Sequence, residues 1–234
     1  MDSDAIRTYD LPTVCHPRGV TLLLIDLDNT LIDRDAAFRK GVSDLLTAHR
    51  LPDTDADWVM DVDASGYTPR PTVAAAMAER YRETGLDTDE ILALLFKGAR
   101  EHARITPDTR DALTAARDGG HRVVIVTNGM VGQQEGKIRT AGLDELVDGW
   151  VVSEGVGSRK PEPGIFHAAA ELAGTSLDGA WVIGDRDDAD IAGAHALGLS
   201  SVWLHLGREW TLRGFRPTAT AGTVAEGITR AARG

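Results

Sequence analysis

The sequence predicts an α/β fold, a Rossmann-like, doubly wound parallel sheet with an inserted α-helical cap domain. Short apolar runs that end in polar residues recur along the chain, as strands buried on both faces do. Helical patterns separate most of these runs, which implies a parallel sheet with right-handed crossovers. The alternation is interrupted once, between Asp33 and Ile105, where only helical patterns occur.

The first strand is read over Val20 to Ile25, the second over Arg122 to Val126, and two more over Ala180 to Ile183 and Ser201 to Leu204. A weaker fifth, Gly149 to Val152, lies between the second and third of these. Thr106-Pro107 supplies a cap and a first-turn proline for one helix, which Gly119-Gly120 stops. Ile165, Phe166, Ala169 and Leu172 mark the buried face of another, and Thr223 to Glu226 has the capping-box spacing of a last helix. Within the interruption, Phe38, Val42, Leu45 and Leu46 share one helical face, as do Val73, Met77 and Tyr81, and Ile91, Leu95 and Phe96. Ser65 to Pro71 is a loop by composition. The expected division is a core of residues 1–33 and 106–234 and an inserted helical domain of residues 34–105.

A length of 234 residues suits one core domain carrying a smaller insertion. A net charge of -11 disfavours nucleic acid and anionic membranes as partners, because the average field repels polyanions. The same field repels a phosphorylated ligand, so a phosphate site here must bring local positive charge. The single cysteine, Cys15, cannot close an intrachain disulfide, and residues 1 to 17 carry acids without an apolar core, unlike a signal peptide. No apolar run approaches the roughly 20 residues that span a bilayer. These features predict a soluble cytoplasmic protein, and leave the choice between monomer and homodimer open.

Four strand ends carry the candidate chemistry. Leu22 to Ile25 runs into Asp26-Leu27-Asp28-Asn29-Thr30. The Asp-x-Asp spacing alone is uninformative: it recurs at Asp33/Asp35, Asp53/Asp55, Asp61/Asp63 and Asp87/Asp89, all read as solvated acidic faces. Asp26 differs in ending an apolar strand, where ligands of open parallel sheets bind. Two carboxylates there repel each other unless a cation or proton intervenes. Thr127-Asn128-Gly129 ends the second strand with a hydroxyl, an amide and a flexible glycine, an oxyanion cradle or a plain turn. Lys160, followed by Pro161, can aim a point charge into a cleft. Gly184-Asp185 opens an acidic run through Asp190 that suits a hard cation such as magnesium, with Asp187 and Asp188 solvated.

In this order and context the four segments resemble the motifs of the haloacid dehalogenase-like superfamily, from about Thr21 to Leu206. Phe166, Asp190 to Ala194 and Gly198-Leu199 fit the same pattern, and the insertion is similar to that family's helical C1-type cap. The stretch between Thr127 and Lys160 is too short for a second cap. The resemblance implies a magnesium-dependent phosphatase acting on a small phosphorylated substrate. It casts Asp26 as a nucleophile that becomes phosphorylated and Asp28 as general acid, then base. Thr127, with the backbone of Asn128 and Gly129, would hold the phosphoryl group, and Lys160 would offset charge. Magnesium would bind Asp26, the Asp28 carbonyl, Asp185 and, directly or through water, Asp190.

Three alternatives stand beside this reading: a haloacid dehalogenase, a phosphomutase and a non-catalytic phospholigand-binding module. Asp28 speaks against the first, because halide departure needs no proton. The second needs a cap that holds a bisphosphate, and nothing in residues 34–105 identifies one. The presence of every motif residue speaks against the third. The seven histidines have no metal-ligand spacing. Trp150, Trp181 and Trp203 are read as core; Trp58 and Tyr67 as cap packing, with lining of a substrate pocket the alternative; and Arg34, Arg39 and Arg70 as solvated surface arginines, with binding of an anionic substrate tail the alternative.

Overall fold

The computed structural model describes residues 21–234. Val20, Cys15, the stretch of residues 1 to 17 and the first part of the expected core therefore lie outside the described residues. Along the chain, β1 (Leu22–Ile25) is followed by α1 (Arg34–Ala48), α2 (Asp55–Asp63), α3 (Arg70–Arg80) and α4 (Thr88–Glu101). Then come α5 (Pro107–Asp118), β2 (Arg122–Thr127), α6 (Val131–Thr140), β3 (Gly149–Val152), the short α7 (Ser153–Val156) and α8 (Pro163–Leu172). The chain continues through β4 (Trp181–Gly184), a π-helical turn at Asp187–Ile191, α9 (Ala192–Ala196), β5 (Ser200–Leu204), β6 (Ala219–Ala221) and α10 (Val224–Ala231).

The six strands form one sheet in the order β3-β2-β1-β4-β5-β6, and every pairing is parallel. Leu23 lies opposite Val123 of β2 on one side and Trp181 of β4 on the other. The strand order thus reverses around β1, and a crevice opens beyond the carboxyl ends of β1, β2 and β4. Strand β6 was not legible in the sequence: three residues, Ala-Thr-Ala, are too short and too weakly apolar to signal a strand.

Alternate residues of each strand face opposite ways, so both faces need cover. Leu23, Ile25, Val123, Ile125, Ile183 and Val202 pack with Leu113 of α5 and Ile228 of α10. Leu22, Leu24, Val124, Val126 and Val182 pack with Ile165, Phe166 and Ala169 of α8 on the other face. Leu172 departs from expectation: it ends α8 and is 47% exposed. It lies over the edge strand at Gly149, where a Cβ would come within 2.5 Å of it. Trp203 is buried, whereas Trp150 and Trp181 are half-buried at the margin of the core.

Helices α1 to α4 share a core of their own, built on Phe38, Val42, Leu46, Val59, Val73, Met77, Ile91 and Leu95. Gly41 and Gly98 let α1 and α4 approach closely, since a Cβ on Gly41 would lie 2.8 Å from the Gly98 backbone. Trp58 packs against this core with its ring edge-on to Tyr81. Asp33, Asp87, Thr106 and Thr223 cap α1, α4, α5 and α10 with their side-chain oxygens. At α10 the reciprocal bond goes one residue further back than a capping box requires, from Gly222 N to the Glu226 carboxylate. Among the described residues no helix is long and apolar enough to cross a membrane.

Candidate active site

Three of the strands each deliver one group to the crevice as they end. Asp26 directly follows β1, Thr127 is the last residue of β2, and Asp185 directly follows β4. Lys160, expected at a strand end, comes instead from the loop between α7 and α8, because α7 separates it from β3; Asp190 comes from the π-helical turn. A cavity of about 600 Å³ contains Asp26, Asp28, Thr127, Asn128, Gly129, Lys160 and Asp185 in its wall.

Lys160 is the electrostatic centre. Its buried Nζ lies 2.5 Å from Asp26 Oδ1, 2.7 Å from Asp190 Oδ1 and 2.6 Å from the Val126 carbonyl. Burial works against its charge, but Asp190 and Asp26 overcome this and raise its pKa. Asn128 fixes the lysine by a reciprocal pair: Lys160 N donates to Asn128 Oδ1 at 2.8 Å, and Asn128 Nδ2 donates to the Lys160 carbonyl at 3.0 Å. The Gly129 N–H, expected to face a phosphoryl group, donates to Ser153 Oγ at 2.9 Å. A phosphoryl group would have to displace that hydroxyl.

Asp26, Asp185 and Asp190 are all buried and each offers an oxygen within 4.8 Å of the others. Burial, with Asp190 and Asp28 adding repulsion against the pull of Lys160, raises Asp26 to about 7. Burial, followed by the charges of Asp26 and Asp190, raises Asp185 to about 8. Arg208 answers part of that charge, with Nη2 3.1 Å from Asp185 Oδ2. Three carboxylates served by two cationic side chains fit a hard cation, which favours oxygen donors. Gly184 makes the arrangement possible, since a Cβ there would lie 2.1 Å from Asp190 Oδ2. The Asp28 side chain stands apart from this trio and points to α6.

Lys137 and Gln134 hold it there, and neither was singled out in the sequence. Lys137 Nζ lies 2.7 and 2.8 Å from the two Asp28 oxygens. Gln134 Nε2 donates to Asp28 Oδ2 at 2.9 Å and to Thr127 Oγ1 at 2.6 Å. Burial alone would raise the Asp28 carboxyl, but Lys137 and then Gln134 outweigh it and keep it below the usual carboxylate range. The one signal available was helical: residues 134, 137 and 138 share a face, and that face is buried.

The arginines require a correction. Arg39 is exposed as expected, paired with Asp57, but Arg34 and Arg70 turn inward and line the cavity. What draws them in is Asp63, whose Asp-x-Asp spacing suggests a solvated face but which is 0% exposed. Asp63 takes both Arg34 Nη atoms, Arg70 Nη1 at 2.9 Å and the Gly66 N–H at 3.0 Å. Tyr67 does not pack into the helical core either: it is 53% exposed, and the Arg186 guanidinium lies 3.6 Å from its ring centre. Asp188 is exposed and paired to Arg186, while Asp187 is half-buried.

The chain is similar to several known proteins. A glyceraldehyde 3-phosphate phosphatase of Pyrococcus abyssi is 32% identical over 107 residues, 46% of this chain and 45% of that protein. The Pyrococcus furiosus protein of the same name is 25% identical over 215 residues, covering 82% of this chain and 83% of that one. The chain spans about half the length of several curated relatives it matches. Among solved structures, the magnesium-bound HAD-hydrolase YfnB of Bacillus subtilis superposes with a TM-score of 0.72 at 23% identity, over 88% of this chain and 96% of that one. The family model for haloacid dehalogenase-like hydrolases matches residues 20–198, and the chain belongs to that family.

Proposed function

We propose that the chain is a magnesium-dependent phosphatase that hydrolyses a small phosphorylated metabolite through a phosphorylated Asp26. The observation that carries this reading is the Lys160 ammonium set between Asp26 and Asp190, in one cavity with Asp28, Thr127 and Asp185. The phosphatase names of its relatives support it.

In this reading an Asp26 oxygen attacks phosphorus, and the ester P–O bond breaks. The departing alkoxide takes a proton from Asp28. Asp28 then removes a proton from water, whose oxygen attacks the same phosphorus. The acyl-phosphate P–O bond breaks, inorganic phosphate leaves and the Asp26 carboxylate returns. Thr127 and the backbone of Asn128 and Gly129 position the phosphoryl group, and Lys160 answers its charge. Asp26, the Asp28 carbonyl, Asp185 and Asp190 would hold magnesium, whose chemistry is to neutralise charge on the phosphoryl oxygens. Asp28 favours ester over carbon–halogen hydrolysis, because only an alkoxide needs its proton.

Residues 34–105 would act as a cap over the core of residues 1–33 and 106–234, closing on substrate and excluding water. The Tyr67–Arg186 stack is the contact that would hold it shut. A cytoplasmic location, without nucleic-acid or membrane partners, suits the charge and a small phosphorylated substrate.

A panel of phosphorylated metabolites with magnesium tests the activity. Borohydride reduction of enzyme quenched in turnover tests the intermediate, because an acyl phosphate is reduced to the alcohol and a free carboxylate is not. The expected mass change lies in the peptide containing Asp26. A phosphorylated His, or release of phosphate with no labelled peptide at all, would overturn the scheme.

A further inference from the structure

The inserted helices bring a charged group to the cavity that the scheme above does not use. Arg34, the first residue of α1, and Arg70, the first residue of α3, both line the cavity that holds Asp26 and Asp28. They share one fully buried carboxylate, Asp63. Arg34 is satisfied: it makes two bonds to Asp63 and one to Asp35 at 2.8 Å. Arg70 is not. Its Nη1 donates to Asp63, and among the described residues its guanidinium forms no other hydrogen bond.

That guanidinium is nonetheless held in place. Its centre lies 3.7 Å from the ring centre of Phe38, a fully buried residue of α1. The rest of the fork is left open in a cavity wall shared with Asn29, Ser65 and Thr68. Burial first, and the neighbouring Arg34 charge second, lower Arg70 to about 10, a cation short of negative charge. Asp28 is among the acids that favour the charge of both arginines, so the pair lies towards the acid/base end of the cavity. The other cavity arginines are less suited: Arg159 is exposed, and Arg186 is spent on Asp188 and Tyr67. A rigid planar fork with free donors matches a carboxylate or phosphate, and a neutral hydroxyl would leave it short of charge.

We propose that Arg70, backed by Arg34 and Asp63, is a binding site for a second anionic group on the leaving portion of the substrate, either a carboxylate or a second phosphate. This rests on the phosphatase reading of the same cavity. The substrate class is then a short phosphorylated acid or a bisphosphate, rather than a phosphate ester of a neutral alcohol.

Three compounds on one carbon skeleton decide it: glycerol 3-phosphate, 3-phosphoglycerate and glycerol 1,3-bisphosphate. With magnesium, kcat/KM for at least one charged compound should exceed that for glycerol 3-phosphate by about tenfold or more, the worth of a charged hydrogen-bonded contact. Which of the two wins tells carboxylate from phosphate. Arg70→Gln should collapse the ratio to near one, and Arg70→Lys should restore part of it, mainly through KM. Equal kcat/KM across the series in the wild type, or a ratio that survives in Arg70→Gln, would overturn the proposal. The same compounds are titrated into Asp26→Asn protein with magnesium, where only binding is read. A tenfold preference there that vanishes with Arg70→Gln supports the subsite even without turnover, and its absence counts against it. Loss of turnover on every ester with that preference intact would count against the phosphatase reading alone. Circular dichroism of each variant checks folding, and Arg70→Lys carries the test if Arg70→Gln unfolds.

Discussion

Lys137 Nζ lies within 2.8 Å of both carboxylate oxygens of Asp28, so a buried ammonium from α6 grips the residue assigned to acid–base work. Gln134, one turn earlier on the same helix, ties Asp28 to Thr127. This contact holds the Asp28 carboxyl below its ordinary range despite burial. An ionised Asp28 is ready to take a proton from water, whereas delivering one to an alkoxide requires the protonated form. Lys137→Met removes the force that keeps it ionised, and the folded pKa should rise. Phosphoenzyme breakdown near neutral pH should slow by roughly tenfold or more, within the range general-base help is worth. Formation from an activated aryl phosphate, whose leaving group needs no proton, should change little. Stopped-flow measurement of both steps checks this, and unchanged breakdown would reduce the contact to a structural one.

Asp28→Asn separates the two halves of the reaction further. Formation of phosphoenzyme from an alkyl phosphate should fall by about 10²–10⁴-fold, because the leaving alkoxide loses its proton donor. An aryl phosphate with an electron-withdrawing ring should give one rapid burst and then stall, since the same residue activates the attacking water. Equal loss of the burst with both substrates would mean that Asp28 serves structure or metal binding.

Asp26→Asn should cost at least about 10³-fold in turnover, because an amide is a poor nucleophile and a weaker ligand for a hard cation. Beryllofluoride, which mimics the phosphorylated carboxylate, should inhibit the wild type and not this variant. Substantial turnover by Asp26→Asn would remove Asp26 from the chemistry.

Asp26, Thr127 and Asp185 could be read from the sequence because strand ends fix them, whereas Lys160 and Asp190, in a loop and a turn, took their roles from the resemblance to the family. An apolar run that stops at Asp26, Thr127 or Asp185 states both the depth and the direction of that side chain, because the end of a parallel strand faces the crevice. Helices and loops give no such anchor. Lys137 and Gln134 lie three apart on α6, and whether that face meets Asp28 or water depends on how α6 packs. Asp63 shows the same limit: the sequence Asp61-Val62-Asp63 resembles a solvated helix end, and only Arg34 and Arg70, distant in sequence, make its burial tolerable. Strand β6 is held by its parallel pairing with β5 rather than by its own pattern.

Metal binding should be coupled to protons. Burial raises Asp26 to about 7 and Asp185 to about 8, well above their unfolded values near 3.8. Between those limits the folded state retains protons that the unfolded chain has released, so the metal-free protein loses stability as pH rises through that window. A cation that binds the ionised trio reverses this and competes with protons below about pH 7. Magnesium at about 100 times its Kd should stabilise the protein by about 2.7 kcal/mol, roughly 5–10 °C in Tm for a chain of this size. The shift should be large at pH 8 and small at pH 6. EDTA should abolish turnover and magnesium restore it, with calcium a poor substitute because it prefers more ligands and looser geometry. Full turnover in chelator, or a Tm shift independent of pH, would remove the trio as the cation site.

Asp63 is where the inserted helices are most exposed to damage by a single change. It is fully buried, it answers two guanidiniums, and it accepts from the Gly66 N–H at the turn that leads into α3. Burial alone would lower the Arg34 pKa, but the bonds and charge of Asp63 raise it instead. Asp63→Ala leaves two cations facing each other, with one bond from Arg34 to the half-buried Asp35 and the unbonded charge of Asp28 to answer them. Removing one partner of a buried ion pair typically costs about 3–5 kcal/mol, so Tm should fall by roughly 6–20 °C. Asp63→Asn keeps the shape and can still accept hydrogen bonds, yet it cannot answer the charge, and should recover only part of the loss. Arg70→Gln removes one of the two cations while leaving the Arg34–Asp63 pair whole, and should cost less than either. Calorimetry of the three variants gives the order directly. An Asp63→Ala protein as stable as the wild type would mean that the two arginines are solvated, and that neither is held at the cavity wall.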